Sequence, residues 1–152
     1  MQKIYGPPAF QRPSGGMYLL ANQLNIVNTS ITVVQLDRID DFLDSIENTV
    51  TFTITPGIAG LYLITGQVTY MNIVADKEYR ALVDYGGATH SATVHSSHDG
   101  LLSVSVTFFR YLTNISPLTL RAWHNAGVNT IDIEGAANAG YKRTFLHCQR
   151  VR

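Results

Sequence analysis

The sequence predicts an all-β domain, and three observations carry that prediction. Val, Ile and Thr number 12, 12 and 15, together 39 of 152 residues, and branched side chains favour the pleated strand over the helix. Short alternating apolar runs bounded by turn residues recur along the chain, while long blocks of Ala, Glu, Lys and Leu are absent. A chain of 152 residues has room for one domain with a substantial core and not for two full-sized ones.

The elements follow in order. Residues 1–16 hold three of the five prolines (Pro7, Pro8, Pro13) together with Gly6, Gly15 and Gly16, a density that disfavours regular structure. Ile4, Tyr5 and Phe10 are interspersed, and a purely solvating tail has no need of them. An extended N-terminal arm is therefore predicted over 1–16, folded on its own domain or inserted into a neighbour. Its contact residues would be Ile4, Tyr5, Pro7, Pro8, Phe10 and Arg12. The β domain would occupy 17–152, with Gly15-Gly16 as the hinge.

Residues 17–23 (M-Y-L-L-A-N-Q) and 31–36 (I-T-V-V-Q-L) read as short strands around an N-T-S turn. Over 37–48 the spacing changes. Ile39, Phe42, Leu43 and Ile46 stand at i, i+3, i+4 and i+7, which reads as a short amphipathic helix capped by Asp37, or as a structured loop. The other side of this segment carries Asp37, Asp40, Asp41, Asp44 and Glu47 against Arg38, a local net charge of −4.

From residue 50 strands come in series: 50–55, 61–71, 78–85, 89–95, 101–112, 118–124, 130–134 and a closing run at 141–151. In the longest, Leu102, Val104, Val106, Phe108 and Arg110 share one face, and Leu101, Ser103, Ser105, Thr107 and Phe109 the other. The Gly/Ala/Asn stretch 135–140 reads as a loop. About ten short strands with regular turn signals mean a sandwich or barrel, and a closing terminal strand points to a jelly roll.

Composition then bounds the function. Eleven basic residues cancel eleven acidic ones, and only 14% of the chain is charged, against roughly 25% in an average soluble protein. A nucleic-acid binder would need a basic excess, and a disordered chain would be less apolar. A neutral, charge-poor monomer lies near its solubility minimum, so part of the surface is expected to lie against other copies or partners. The first residues contain no apolar run of signal-peptide type, and no stretch approaches the length of a membrane-spanning helix. Synthesis in a cytoplasm without export is the expectation. The sequons at Asn28 and Asn114 then count as chance matches.

No catalytic, cofactor or metal site is predicted. A G-x-S-x-G elbow is absent, and Cys148 lies in a strand pattern beside His147, whose side chain must point to the opposite face. A buried structural cysteine is expected. His95 and His98, with Asp99 or His90 near, have a permissive spacing that reads as loop histidines rather than as a metal site. The acidic run lacks the spacing and fixed glycine of a calcium loop. It reads as a solvated face or as an acidic contact for another subunit. Lys142, Arg143, Arg150 and Arg152 are the counter-surface for Asp37, Asp40, Asp41 and Asp44. Trp123, inside L-T-L-R-A-W-H, reads as a core or interface residue rather than a sugar platform. Gly86-Gly87 and Gly135 to Gly140 lack a Lys-Ser/Thr partner and are turns.

The segment F-T-I-T-P-G-I-A-G-L-Y-L-I-T-G-Q-V-T-Y (52–70) resembles the signature of the complement globular-head and tumour-necrosis-factor-like jelly rolls. Pro56, Ala59, Gly60, Tyr62 and Tyr70 fill the places of that pattern. L-D-R-I-D-D-F before it, and the 101–112 run, L-T-L-R-A-W-H and T-F-L after it, follow the family's order, so the resemblance covers 17–151. It implies a jelly-roll fold and a compact homotrimer whose inner sheets pack around a threefold axis. It implies no ligand site, because no loop residue matches a diagnostic motif.

By elimination, the expected function is that of a non-enzymatic trimeric structural protein. The reading is a decoration or cement protein on a phage capsid, located on the virion and gripping adjacent subunits with its arm. The alternative is a receptor- or glycan-binding head of a phage tail or bacterial surface module. Partners would be further copies of the chain and a larger protein assembly, without nucleic acid, membrane or cofactor.

Overall fold

The computed structural model describes residues 13–43, 45–113, 116–139 and 142–151. In chain order the strands are β1 (Ser14–Tyr18), β2 (Gln23–Ile26), β3 (Thr32–Val33), β4 (Arg38–Leu43), β5 (Ser45–Asn48), β6 (Thr53–Pro56) and β7 (Gly60–Ile73). There follow β8 (Glu78–Tyr85), β9 (Ala88–His95), β10 (Gly100–Leu112), β11 (Leu118–His124), β12 (Ile131–Ile133), a single helical turn α1 (Ala136–Ala139) and β13 (Phe145–Arg150). They build two antiparallel sheets. The first runs β2-β12-β7-β13-β1-β4, with β10 on the other side of β7; the second runs β5-β6-β11-β8-β9, with β3 beside β11. This is the jelly-roll sandwich that the strand pattern predicts.

The core lies between the sheets, and strand alternation decides who enters it. Along β11, and along β7 as far as Val68, every second residue is buried. Ile64, Val68, Leu118 and Leu120 are sealed from solvent, and Leu146 and Cys148 of β13 join them. Val104, Val106 and Phe108 of β10 point inward, as their alternation predicts. At the centre, Gly66 keeps the sheets close: a Cβ there would stand 2.9 Å from both Leu120 Cδ1 and Val83 Cγ2.

Three expectations are corrected. β1 begins at Ser14, so Gly15 and Gly16 are strand residues rather than the end of an arm. Gly15 is demanded by proximity: its Cβ would lie 2.6 Å from Glu47 Oε1 and Ile54 Cγ2. The 37–48 segment forms neither a helix nor a loop but β4 and β5, paired to β1 and β6. Its apolar residues form no buried stripe, since Ile39 and Ile46 are 47% and 66% exposed; pairing with β1 and β6 overrides the local periodicity. Asp37 caps no helix and instead accepts the Leu20 amide at 2.8 Å. The 135–140 loop contains the helical turn α1.

Candidate interaction surface

The outward face of the first sheet has an uncharged centre. On the first sheet the register lines up cross-strand rows: Ser14, Gln149, Leu63 and Phe109; Gly16, His147, Thr65 and Thr107; Tyr18, Phe145, Gln67 and Ser105. Leu61 with Tyr111 and Met71 with Leu101 extend the face along β7 and β10. None of these residues of β1, β7, β10 and β13 is Asp, Glu, Lys or Arg, whereas the outer strands carry the same rows on to Asp41 and Arg38 of β4 and to Asp132 of β12. Phe109 and Tyr111 are 64% and 65% exposed, large apolar rings left in water at a strand edge.

The polar groups of this face bond to one another. Ser105 Oγ donates to Gln67 Oε1 at 2.8 Å, Gln67 Nε2 donates to the Arg143 carbonyl at 2.7 Å, and the Thr69 and Ser103 hydroxyls are 2.8 Å apart. Thr107 and Thr65 share a longer bond of 3.3 Å. These hydroxyls and the Gln67 amide, already partnered, can be buried without stranding donors or acceptors.

The second sheet turns a charged ladder outward. The Arg80 guanidinium lies 4.4 Å above the Trp123 ring and is held by Glu78. Beside it Arg121 Nη2 meets Asp84 Oδ2 at 2.7 Å, and Thr89 Oγ1 donates to the same carboxylate at 2.6 Å. Half-buried Trp123 thus spends one ring face on Arg80. It is not an open sugar platform.

The structure separates the other candidates. Lys142 meets Asp40 within one chain, with its ammonium 5.0 Å above the Tyr18 ring at the rim of the uncharged centre. Arg143 Nη1 meets Glu134 Oε2 at 2.9 Å, again within the chain. Both cations are thus engaged within the chain. The Arg150 amide donates to the Pro13 carbonyl at 2.8 Å. Asp41 takes a register position opposite Gly16. Ile4, Tyr5, Pro7, Pro8, Phe10, Arg12, Asp44 and Arg152 lie outside the described residues.

Cys148 is sealed in the core and His147 faces the opposite side, as strand geometry predicts. The remaining histidines go separate ways. His90 stacks on Phe108 with ring centroids 4.3 Å apart, His95 pairs in register with Glu78, and His98 Nε2 lies 3.3 Å from the Leu101 carbonyl. Among the described residues no group of three or more His, Cys, Asp or Glu could hold a metal ion. No helix there is long and apolar enough to cross a membrane.

No protein-family profile and no curated protein matches the chain. Solved structures do. The Eiger TNF from S. frugiperda aligns with a TM-score of 0.64 at 10% identity, over 93% of this chain and 94% of that one. The globular domain of the zebrafish complement 1qA protein aligns with a TM-score of 0.65 at 8% identity, over 92% and 98%. This chain has the TNF-like jelly-roll fold. Murine APRIL is similar too, with a TM-score of 0.61 at 12% identity, over 93% and 100%. Sequence reasoning missed what marks the candidate surface of this TNF-like fold. The signal was present in the uncharged Ser103, Ser105, Thr107 and Gln67, but only register shows that they share a face with Leu63 and Phe109.

Proposed function

We propose that this protein is a non-enzymatic homotrimer that buries the uncharged centre of its first sheet around a threefold axis. The observation that carries this reading is the pairing of that centre's polar groups with one another, which leaves Leu61, Leu63, Phe109 and Tyr111 to supply the driving force. The charged ladder on the opposite sheet is then the face that stays in water. Similarity in fold to TNF and complement globular domains supports a binding or assembly role over catalysis.

Within that reading, the trimer decorates a larger protein shell such as a phage capsid, and the residues before β1 attach it to neighbouring shell subunits. Support comes from the low charge of the chain and from Ile4, Tyr5 and Phe10 among the prolines of this segment. The alternative, a receptor- or glycan-binding head, is favoured by exposed Val27, Ile31 and Val128. Its glycan form is disfavoured at Trp123, where Arg80 covers the ring.

Native mass spectrometry tests the assembly. The wild-type chain is expected at three-chain mass, and Phe109→Asp, a change at an exposed ring, at one-chain mass with an unchanged circular dichroism spectrum. A monomeric wild type, or a Phe109→Asp trimer, refutes the proposal. Deletion of residues 1–12 leaves β1 whole; it should preserve the trimer and abolish its binding to shells. A truncated trimer that still binds overturns the decoration role. Specific glycan-array binding lost in Trp123→Ala would favour the alternative.

A further inference from the structure

One end of the sandwich is closed by loops 27–31 and 125–130. It is opposite the end where β1 starts and β13 finishes, for Ser14 and Gln149 align with Leu63 of β7, whereas β12 meets β7 at Tyr70 and Met71. The two loops clasp each other. The Asn28 amide donates to Asn129 Oδ1 at 2.8 Å, and the Gly127 amide donates to Asn28 Oδ1 at 2.9 Å. The Thr29 amide donates to the His124 carbonyl at 2.8 Å. Thr29 holds a φ of 58°, a left-handed conformation that is unfavourable for a β-branched residue. The clasp therefore retains strained backbone.

Beneath both loops lies His124, with 0% of its surface exposed. Its two ring nitrogens have opposite duties. The Ile26 carbonyl, 2.9 Å from Nε2, can only accept; the Ala126 amide, 3.2 Å from Nδ1, can only donate. The neutral ring with its proton on Nε2 satisfies both partners, a tautomer assigned from the bonding network. Tyr79 of β8 stacks on the ring at 6.0 Å, and Tyr70 of β7 stands 5.1 Å beyond Tyr79. Burial pushes both phenols above their ordinary range, so neither carries charge near neutrality.

The carboxylates on the neighbouring strands are engaged elsewhere. Glu78 of β8 holds Arg80, and Asp132 of β12 accepts from the Asn25 amide and Asn72 Nδ2. Burial is thus the main influence on His124 and holds its pKa below the ordinary 6.5, opposed by the smaller effect of the Ile26 carbonyl.

We propose that His124 is an acid-operated latch: protonation at Nδ1 sets its new N–H against the Ala126 N–H, drives loop 125–130 from its seat and opens the clasp with 27–31. The direction follows from linkage. The unfolded or opened chain takes up the proton more readily than the closed one, so the closed form keeps its full advantage above the ordinary histidine range. It loses that advantage as pH falls below about 6.5 toward the lower folded value. The Nε2–H to Ile26 bond survives protonation, so β2 stays in place while the Ala126 side yields.

Amide spectra of the ¹⁵N-labelled full chain, recorded between pH 7.5 and 4.5, test the latch. Ala126, Gly127, Asn28 and Asn129 should shift together, with the midpoint of the His124 ring nitrogens, while Val68 and Val106 in the core stay fixed. His124→Asn retains an acceptor near the Nδ1 position without a titratable ring, and should keep the clasp at neutral pH and abolish the transition. Asp132→Asn should leave it intact. The proposal is overturned if the loops titrate in His124→Asn as in the wild type. In the wild type itself, it is overturned if the ring protonates without loop shifts, or if core and loop amides are lost together.

Discussion

Removing the hydroxyl of Tyr70 subtracts one buried oxygen and tests how the two sheets are pinned together. Tyr70 belongs to β7 of the first sheet and has 0% exposure. Its hydroxyl crosses the core, donates to the Arg80 carbonyl at 2.6 Å and accepts the Trp123 amide at 3.0 Å. Arg80 and Trp123 are register partners on β8 and β11, so one hydroxyl stitches the first sheet to two strands of the second. Tyr70→Phe keeps the ring and its packing on Tyr79, 5.1 Å away, and leaves a backbone donor and acceptor facing a C–H edge. A buried polar group left unsatisfied costs about 1–3 kcal/mol, so the two together would cost about 2–6 kcal/mol. Relaxation and the easier burial of Phe offset part of this, so the expected loss is about 2–3 kcal/mol. For a chain of this size that corresponds to a fall in Tm of roughly 4–12 °C. Urea unfolding followed by circular dichroism, at fixed protein concentration so that assembly does not intrude, should show a lower midpoint at an unchanged m-value. A loss below about 0.5 kcal/mol would mean that the strands bond directly and the hydroxyl pins nothing.

Two further substitutions probe other features. Gly66→Val places branched methyls where even a Cβ stands 2.9 Å from Leu120 and Val83; a loss of about 1–3 kcal/mol by the same urea assay is expected, and a stabilised variant would contradict the close approach. Lys142→Ala removes a cation that is 44% exposed from an Asp40 that is 39% exposed. The expected cost is below about 1 kcal/mol, with no change in oligomeric mass; a drop to one-chain mass would instead place the pair between subunits.

What could be read directly from the residues is what depends on strand periodicity alone. The 101–112 run declares its faces because successive side chains must alternate, and Val104, Val106 and Phe108 enter the core while Ser103, Ser105 and Thr107 do not. The same rule separates Cys148 from His147 without knowledge of any neighbour. Pro56, Gly60, Tyr62 and Tyr70 form a local pattern, and the fold that they resemble is the one observed.

Other features depend on which distant segments meet. Gly15 looks like a hinge until Glu47 and Ile54 are seen to occupy the space of its missing side chain. Ile39 and Ile46 have helical spacing, yet β1 and β6 draw their segments into sheets. The acidic and basic ends of the chain look like complementary surfaces of two subunits, and Asp40 and Lys142 meet within one. The low overall charge hints at a hidden surface, but only the register of β7 with β10 and β13 gathers uncharged residues at the centre of one sheet, with charged residues at its outer strands and across the other sheet. Alternation is a property of each strand by itself, and so it is legible residue by residue. Adjacency is set by cross-strand pairing between segments far apart in the chain, and only the folded sheets decide it.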